Sequence, residues 1–201
     1  MEFRIILLFY ILPMFLSYLL GSIPTGLWIG LLFYKKDIRK YGSGNIGATN
    51  ALRVLGKIPG AIALLFDALK GFVPVILVKT FLPEYSYLPL FVGISAIFGH
   101  LFSIFLLFKG GKGVATGTGV YLALAPIPTL IAGIVFFISA FSTRMVSVGS
   151  ISSAITLAIL TLFLYKNDII FVIITCLIAI LVVYKHRSNI QRIIRGEENK
   201  F

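Results

Sequence analysis

The stretch VSVGSISSAITLAILTLFLYKNDIIFVIITCLIAILVVYK, Val146–Lys185, decides the fold. It holds two apolar runs, about 146–164 and 169–185, parted by Tyr165-Lys166-Asn167-Asp168. No charged residue interrupts either run before Lys185. An α-helix rises about 1.5 Å per residue, so runs of this length approach the roughly 30 Å of a bilayer's hydrocarbon core. The stretch therefore reads as two successive membrane helices joined by a short polar turn.

Further apolar segments lie at about 5–33, 58–80, 88–108, 114–125 and 128–141. Polar or breaker-rich stretches separate them: KKDIRKYGSGNIGATNALR, LPEYSY, KGGKG, PIP and FSTR. The chain has 201 residues, of which 59% are hydrophobic and 12% charged, and its mean hydropathy is +1.03. A soluble domain carries roughly 25% charged residues. No soluble domain fits beside the spans, so the expectation is one all-α polytopic membrane domain over residues 1–201. The 114–125 segment rises only about 18 Å. It reads either as a tilted span, giving seven crossings, or as a re-entrant hairpin with 128–141, giving five. Seven is the expectation. The run from Ile5 lacks an A-x-A cleavage site and reads as a retained helix. Cys176 is the only cysteine, so no intramolecular disulfide forms, and its place in an apolar run reads as packing.

The net charge of +11 is placed asymmetrically. With the 34–57 loop inside, Lys35, Lys36, Arg39, Lys40, Arg53, Lys57, Lys109, Lys112, Arg144, Lys185, Arg187, Arg192, Arg195 and Lys200 all face the cytoplasm, 14 of the 18 Lys and Arg. Arg4, Lys79 and Lys166 lie outside and Lys70 sits in a span. Cytoplasmic enrichment of Lys and Arg sets orientation, so the N-terminus is expected outside and the C-terminus inside. The charge then serves topology and lipid contact, not nucleic acid.

The unusual polar sequence falls on that one face. YGSGNIGATNALR, Tyr41–Arg53, contains G-x-G-x-x-G at Gly42, Gly44 and Gly47. A dinucleotide fingerprint needs a preceding strand and an acidic residue about 20 positions on. Here an apolar span precedes, and Leu64, Leu65 and Phe66 stand at that distance. The dinucleotide reading fails, while anion binding survives: Ser43, Asn45, Thr49, Asn50 and Arg53 suit phosphate, and a plain interfacial turn stays open beside it. KGGKGVATGTGV is more telling. It is not a Walker A loop, because Gly113 follows Lys112. Gly110, Gly111 and Gly113 nevertheless precede a helix start, where backbone N–H groups and the positive dipole end attract phosphate and Lys112 adds a point charge. A flexible loop with snorkelling lysines is the plainer alternative.

Asp67 and Lys70 are spaced i, i+3 inside a span and can pair; Lys70 can also reach toward an anion. His100, read as lying mid-span, suits a packing role between helices. His186 and Asn189, also i, i+3, share one face of a helix leaving the membrane, where Arg192 and Arg195 suit lipid contact. No H-x-x-x-x-D dyad, metal-ligand cluster or G-x-S-x-G elbow is present. Neither metal nor cofactor is expected.

GSGNIGATNALRVLG, GHLFSIFLLFKGGKGVAT and HRSNIQRIIRGEENK, in that order, resemble the bacterial acyl-phosphate:glycerol-3-phosphate acyltransferases. The resemblance runs from GSIPTG in the first span to the C-terminus. It implies an integral enzyme of the cell (inner) membrane. That enzyme moves a fatty acyl group from acyl phosphate to the 1-hydroxyl of glycerol 3-phosphate, in the first acylation of phospholipid synthesis. By residue, it implies that Ser43 and Arg53 are essential, with Asn45 and Asn50 beside them. Gly110, Gly111 and Gly113 match its glycines around Lys112. His186 and Asn189 match its histidine and asparagine, and Glu198 its structural glutamate, with Glu197 adjacent. Ser142 and Arg144 match by position alone. Acyl phosphate, glycerol 3-phosphate and membrane lipids are the implied partners; no obligate protein partner is evident. The base is left open between His186 and a substrate phosphate, whose second pKa is about 6. Two other classes stay open: an organophosphate transporter, which calls for polar residues at mid-membrane, and a lipid-binding scaffold, which needs no glycine-rich loops.

Overall fold

A computed structural model describes residues 7–201; Arg4 and the start of the first apolar segment lie outside the described residues. Every regular element among them is helical. The chain forms two compact units, one reaching to Leu124 and the other Ala125–Phe201.

The first unit holds α1 (Leu12–Ser22), α2 (Thr25–Phe33), α3 (Ala48–Leu55), α4 (Lys57–Phe81), α5 (Leu88–Leu101) and α6 (Val114–Leu124). The first span is thus not one straight helix. It bends by 47° between Ser22 and Thr25, where Pro24 has no N–H to continue the ladder. The 88–108 segment also breaks: α5 ends at Leu101, and positive φ at Leu107 and Phe108 turns the chain back. His100 therefore lies in the last turn of α5. α3 is a short helix hidden inside the polar loop, ended by Gly56 at φ +105°. Close packing uses small residues, as between membrane helices generally. A Cβ at Gly21 would strike Ala96 O on α5, and one at Gly71 would strike Thr116 O on α6.

The second unit holds α7 (Pro126–Thr143), α8 (Val146–Leu164), α9 (Ile169–Lys185) and α10 (Arg187–Ile194), which leaves α9 at 53°. The two runs of Val146–Lys185 form helices at the bounds read from the sequence. Ile127, Leu130, Ile134, Phe137, Ile138 and Phe141 are all exposed along one side of α7. Water does not favour such a contiguous surface; lipid does. Among the described residues, four helical stretches are long and apolar enough to cross a bilayer: Lys57–Phe81, Leu88–Leu106 (α5 with the short helical turn after it), Pro126–Thr143 and Val146–Leu164. They become up to six if each bent pair is one span, and Val114–Leu124 is shorter.

Candidate active site

The 34–47 loop is built around one side chain. Asn50, on α3, is 1% exposed. Its Nδ2 donates to Ile38 O (2.8 Å), Asn45 O (2.8 Å) and Tyr41 O (3.2 Å), and its Oδ1 accepts from the Ser43 N–H at 2.9 Å. A side-chain amide has two donors and one acceptor oxygen, and all are used here. Gly42, at φ +60°, leaves the space that Asn50 Oδ1 fills. Ile38, with Leu27, Ile46, Ala51 and Ala63, pins the loop into the apolar core. Asn50 thus shapes the loop from within, which differs from the substrate contact expected of it. Ser43 and Asn45 are half-buried, Asn45 accepting from the Gly47 N–H at 2.9 Å. Arg53 stands exposed one turn after Asn50. Arg39 pairs with Asp37 at 2.8 Å, and this hydrogen-bonded guanidinium lowers the Asp37 carboxyl to about 2.

The second loop is held from outside. The Gly110 N–H donates to Leu101 O (3.2 Å) and the Gly111 N–H to His100 O (3.0 Å), so both amides satisfy the open C-terminal end of α5. Sequence reasoning assigns those amides to phosphate; the fold uses them itself. A Cβ at Gly110 would strike His100 O, and one at Gly111 would strike the His100 imidazole. Gly113, at φ +79°, then turns the chain into α6. Lys112 sits half-buried between the two buried glycines. The α6 start that follows is a helix end of the kind that favours an anion.

Beneath it, the Asp67–Lys70 pair expected from spacing is present at 2.7 Å and buried. Lys70 also donates to Ile23 O at 2.8 Å, and Thr25 donates to Asp67 at 3.0 Å. The pair closes the open backbone at the α1–α2 bend. This explains its burial. Ser103 donates to Ser22 O at 2.5 Å and Tyr18 to Phe102 O at 2.9 Å, joining the two helix breaks.

In the second unit His186 is buried at the α9–α10 bend. Its Nδ1 lies 2.8 Å from Val182 O. A carbonyl only accepts, so Nδ1 carries a proton and donates it. Glu198 is buried and receives three side chains: Asn189 (2.7 Å) and Ser147 (2.8 Å) on Oε1, and Arg192 (2.8 Å) on Oε2. Burial alone raises a carboxyl, but these hydrogen bonds outweigh it and hold Glu198 below its ordinary value. Glu197 is exposed, so Glu198 is the glutamate engaged. Sequence reasoning misses Ser147; its only signal is a serine at the start of α8. Ser142 and Arg144 are exposed beside the α7–α8 turn, where the carbonyl of Arg144, at φ +60°, accepts the Phe201 N–H at 3.0 Å. Among the described residues, no three His, Cys, Asp or Glu side chains are grouped to hold a metal.

Apolar helices that face outward, with glycine- and cation-rich loops at their ends, define a polytopic integral membrane protein. The sequence matches the model of the family "Glycerol-3-phosphate acyltransferase" over residues 11–196. The glycerol-3-phosphate acyltransferase of Fusobacterium nucleatum is 46% identical over 186 residues, covering 92% of this chain and 95% of that protein. That of Macrococcus caseolyticus is 49% identical over 189 residues, covering 94% and 95%. Two crystal structures of PlsY (YgiH), an integral membrane glycerol 3-phosphate acyltransferase, share the fold. TM-scores are 0.88 for the glycerol 3-phosphate form and 0.85 for the lysophosphatidic acid form, each at 36% identity over 95% of this chain and 94% of that one. The chain belongs to the glycerol-3-phosphate acyltransferase family.

Proposed function

We propose that this protein transfers a fatty acyl group from acyl phosphate to the 1-hydroxyl of glycerol 3-phosphate, giving 1-acylglycerol 3-phosphate and inorganic phosphate. Family membership supports the acceptor, since relatives are named for glycerol 3-phosphate and the PlsY structures are a glycerol 3-phosphate form and a lysophosphatidic acid form. The observation that carries the donor is Lys112, a half-buried cation between Gly111 and Gly113 at a helix start. That is a place for a departing phosphate.

The hydroxyl oxygen attacks the acyl carbon and the bond to phosphate oxygen breaks. The proton passes to a phosphate oxygen of the substrates. Phosphate is a good leaving group, so the work is alignment and charge stabilisation. Alignment alone is worth roughly 7–11 kcal/mol in well-ordered cases, and Lys112 stabilises charge as it develops on the departing phosphate. Arg53 and Ser43 bind phosphate, with Asn45 and Gly113 beside them. His186 positions the glycerol 3-phosphate without taking its proton, Asn189 and Ser142 assist at the substrate, and Glu198 holds Asn189 in place. No metal or cofactor takes part.

The reaction faces the cytoplasm at the cell (inner) membrane of a single seven-span domain, with the N-terminus outside, a reading supported by the placement of 14 of the 18 Lys and Arg. Single cysteines at positions 40 and 199, in a Cys176→Ser background, should label from the same side. For the reaction, purified protein in EDTA receives labelled glycerol 3-phosphate with either acyl phosphate or acyl-CoA. Transfer from acyl phosphate with one phosphate released per product is expected. Transfer from acyl-CoA alone, or a need for a divalent ion, would refute this chemistry.

A further inference from the structure

We propose that His100 is a positioning residue: its imidazole is the template that sets Gly111, and through it Lys112. The reaction as written uses no residue of α5, yet the last turn of α5 holds a buried histidine in contact with the glycine-rich loop. Backbone and side chain of the same residue both reach Gly111. The carbonyl accepts the Gly111 N–H at 3.0 Å, and the ring edge occupies the space where a Cβ would stand. That Cβ would meet Nε2 first, with Cδ2 at 3.1 Å and Cε1 at 3.2 Å.

The ring cannot simply swing aside. It is 5% exposed, and its other nitrogen, Nδ1, lies 3.9 Å from Asp67 Oδ1. Asp67 is itself held by Lys70 and Thr25, and Lys70 by Ile23 O. The imidazole is thus wedged between a buried ion pair and the loop. Gly111 must lack a side chain because His100 is there, whether or not an anion ever approaches its backbone. The residue that follows Gly111 is Lys112, so any shift of Gly111 moves the cation. A displacement near 1 Å can cost about 10²-fold in rate.

Two reasons for the glycine thereby become separable. If Gly111 exists to let phosphate approach, its replacement is equally harmful whatever occupies position 100. If it exists to seat the imidazole, the harm disappears when the ring edge is removed. His100→Asn is the shape-matched change: it keeps atoms in the places of Nδ1 and Cδ2 and deletes Cε1 and Nε2.

The test is a double-mutant cycle of Gly111→Ala and His100→Asn in the full-length protein in detergent. Melting temperature is read for each variant, along with kcat and KM for both substrates. Gly111→Ala should cost about tenfold or more in kcat/KM with His100 present, and under about threefold in the His100→Asn background. Part of the loss should appear in the KM of one phosphate substrate, which a mere fall in folded fraction leaves unchanged. The melting temperature should fall by about 4 °C or more in the first background and by less than half that in the second. Equal costs in both backgrounds would overturn the proposal. Should Gly111→Ala alone fail to fold, recovery of folded protein in the double variant supports the template and failure of both overturns it. The catalytic consequence rests on the acyl-transfer reading, but the melting cycle does not. A wild-type protein inert toward acyl phosphate with coupled melting temperatures would sink the first and leave the second standing.

Discussion

The two glycine-rich loops of the first unit are similar as sequence and opposite in construction. YGSGNIGATN is organised from its centre, by a buried asparagine whose amide reaches four backbone groups of the loop around it. KGGKG is organised from its edge, by two amides that cap the end of the helix before it. In the first, glycine at Gly42 makes room for Asn50; in the second, glycine at Gly111 makes room for His100. In both, a glycine is required by a neighbouring side chain. Where backbone amides are consumed internally, the proposed phosphate contacts fall to side chains, with Lys112 and Arg53 the cations proposed for them.

The sharpest way to break this comparison is Lys112→Ala. If the second loop works through its cation, kcat should fall about 10²–10³-fold, the range for losing one preorganised donor to a developing charge. Each tenfold is about 1.4 kcal/mol of transition-state stabilisation. A raised KM at unchanged kcat would mark Lys112 as a ground-state contact instead. For the first loop, Asn50→Asp keeps the acceptor for the Ser43 N–H but removes the donors to Ile38 O, Tyr41 O and Asn45 O. Roughly 2–4 kcal/mol of stability should go, with a fall in kcat/KM of about tenfold or more. If Asn50 contacts substrate and does not shape the loop, the melting temperature will hold while KM rises.

Smaller effects are expected in the second unit. His186→Gln should raise the KM for glycerol 3-phosphate about tenfold, the worth of roughly one hydrogen bond, while the acidic limb of the pH profile survives. Unchanged KM with a flattened acidic limb and a loss of about 10²–10⁴-fold in kcat would make the imidazole the base. Glu198 predicts a stability effect with a definite sign. Its carboxyl is lowered in the fold, so its contribution is present above the ordinary glutamate value near 4.5 and is lost as pH falls below that toward the folded value. Melting measured across this window should decline in the wild type and much less in Glu198→Gln, which starts lower by about 1–3 kcal/mol. Parallel curves would remove the carboxylate from this role.

How much of this is legible in one dimension depends on what each segment does with its ends. The runs at 146–164 and 169–185 are read at their true bounds because Lys166 and Asp168 sit squarely between them. The segment 5–33 reads as one straight span because hydropathy sums across its bend, and 88–108 hides the end of α5 at Leu101 for the same reason. The bends themselves are repaired by single polar side chains, Lys70 and Ser103, that barely change the sum. α3 is hidden because eight residues with Asn50 and Arg53 look like loop. Lys112 at a helix start and the Asp67–Lys70 spacing are plain in the sequence. The direction in which an amide points is not: whether Gly110, Gly111 and Asn50 face inward or toward a ligand depends on what three-dimensional contact satisfies them. Glu198 separates from Glu197 only when Ser147, distant in sequence, is placed beside it.

The central claim is that the charge on Lys112, not the glycines around it, carries the second loop's function. Aminoethylation tests it directly. A Lys112→Cys variant in a Cys176→Ser background has one thiol, and alkylation with 2-bromoethylamine installs a lysine analogue at that position. The expected result is a nearly inactive thiol form whose acyl transfer rises about tenfold or more on alkylation. A thiol form that retains most of the wild-type kcat, or one that an added ammonium does not restore, would contradict it.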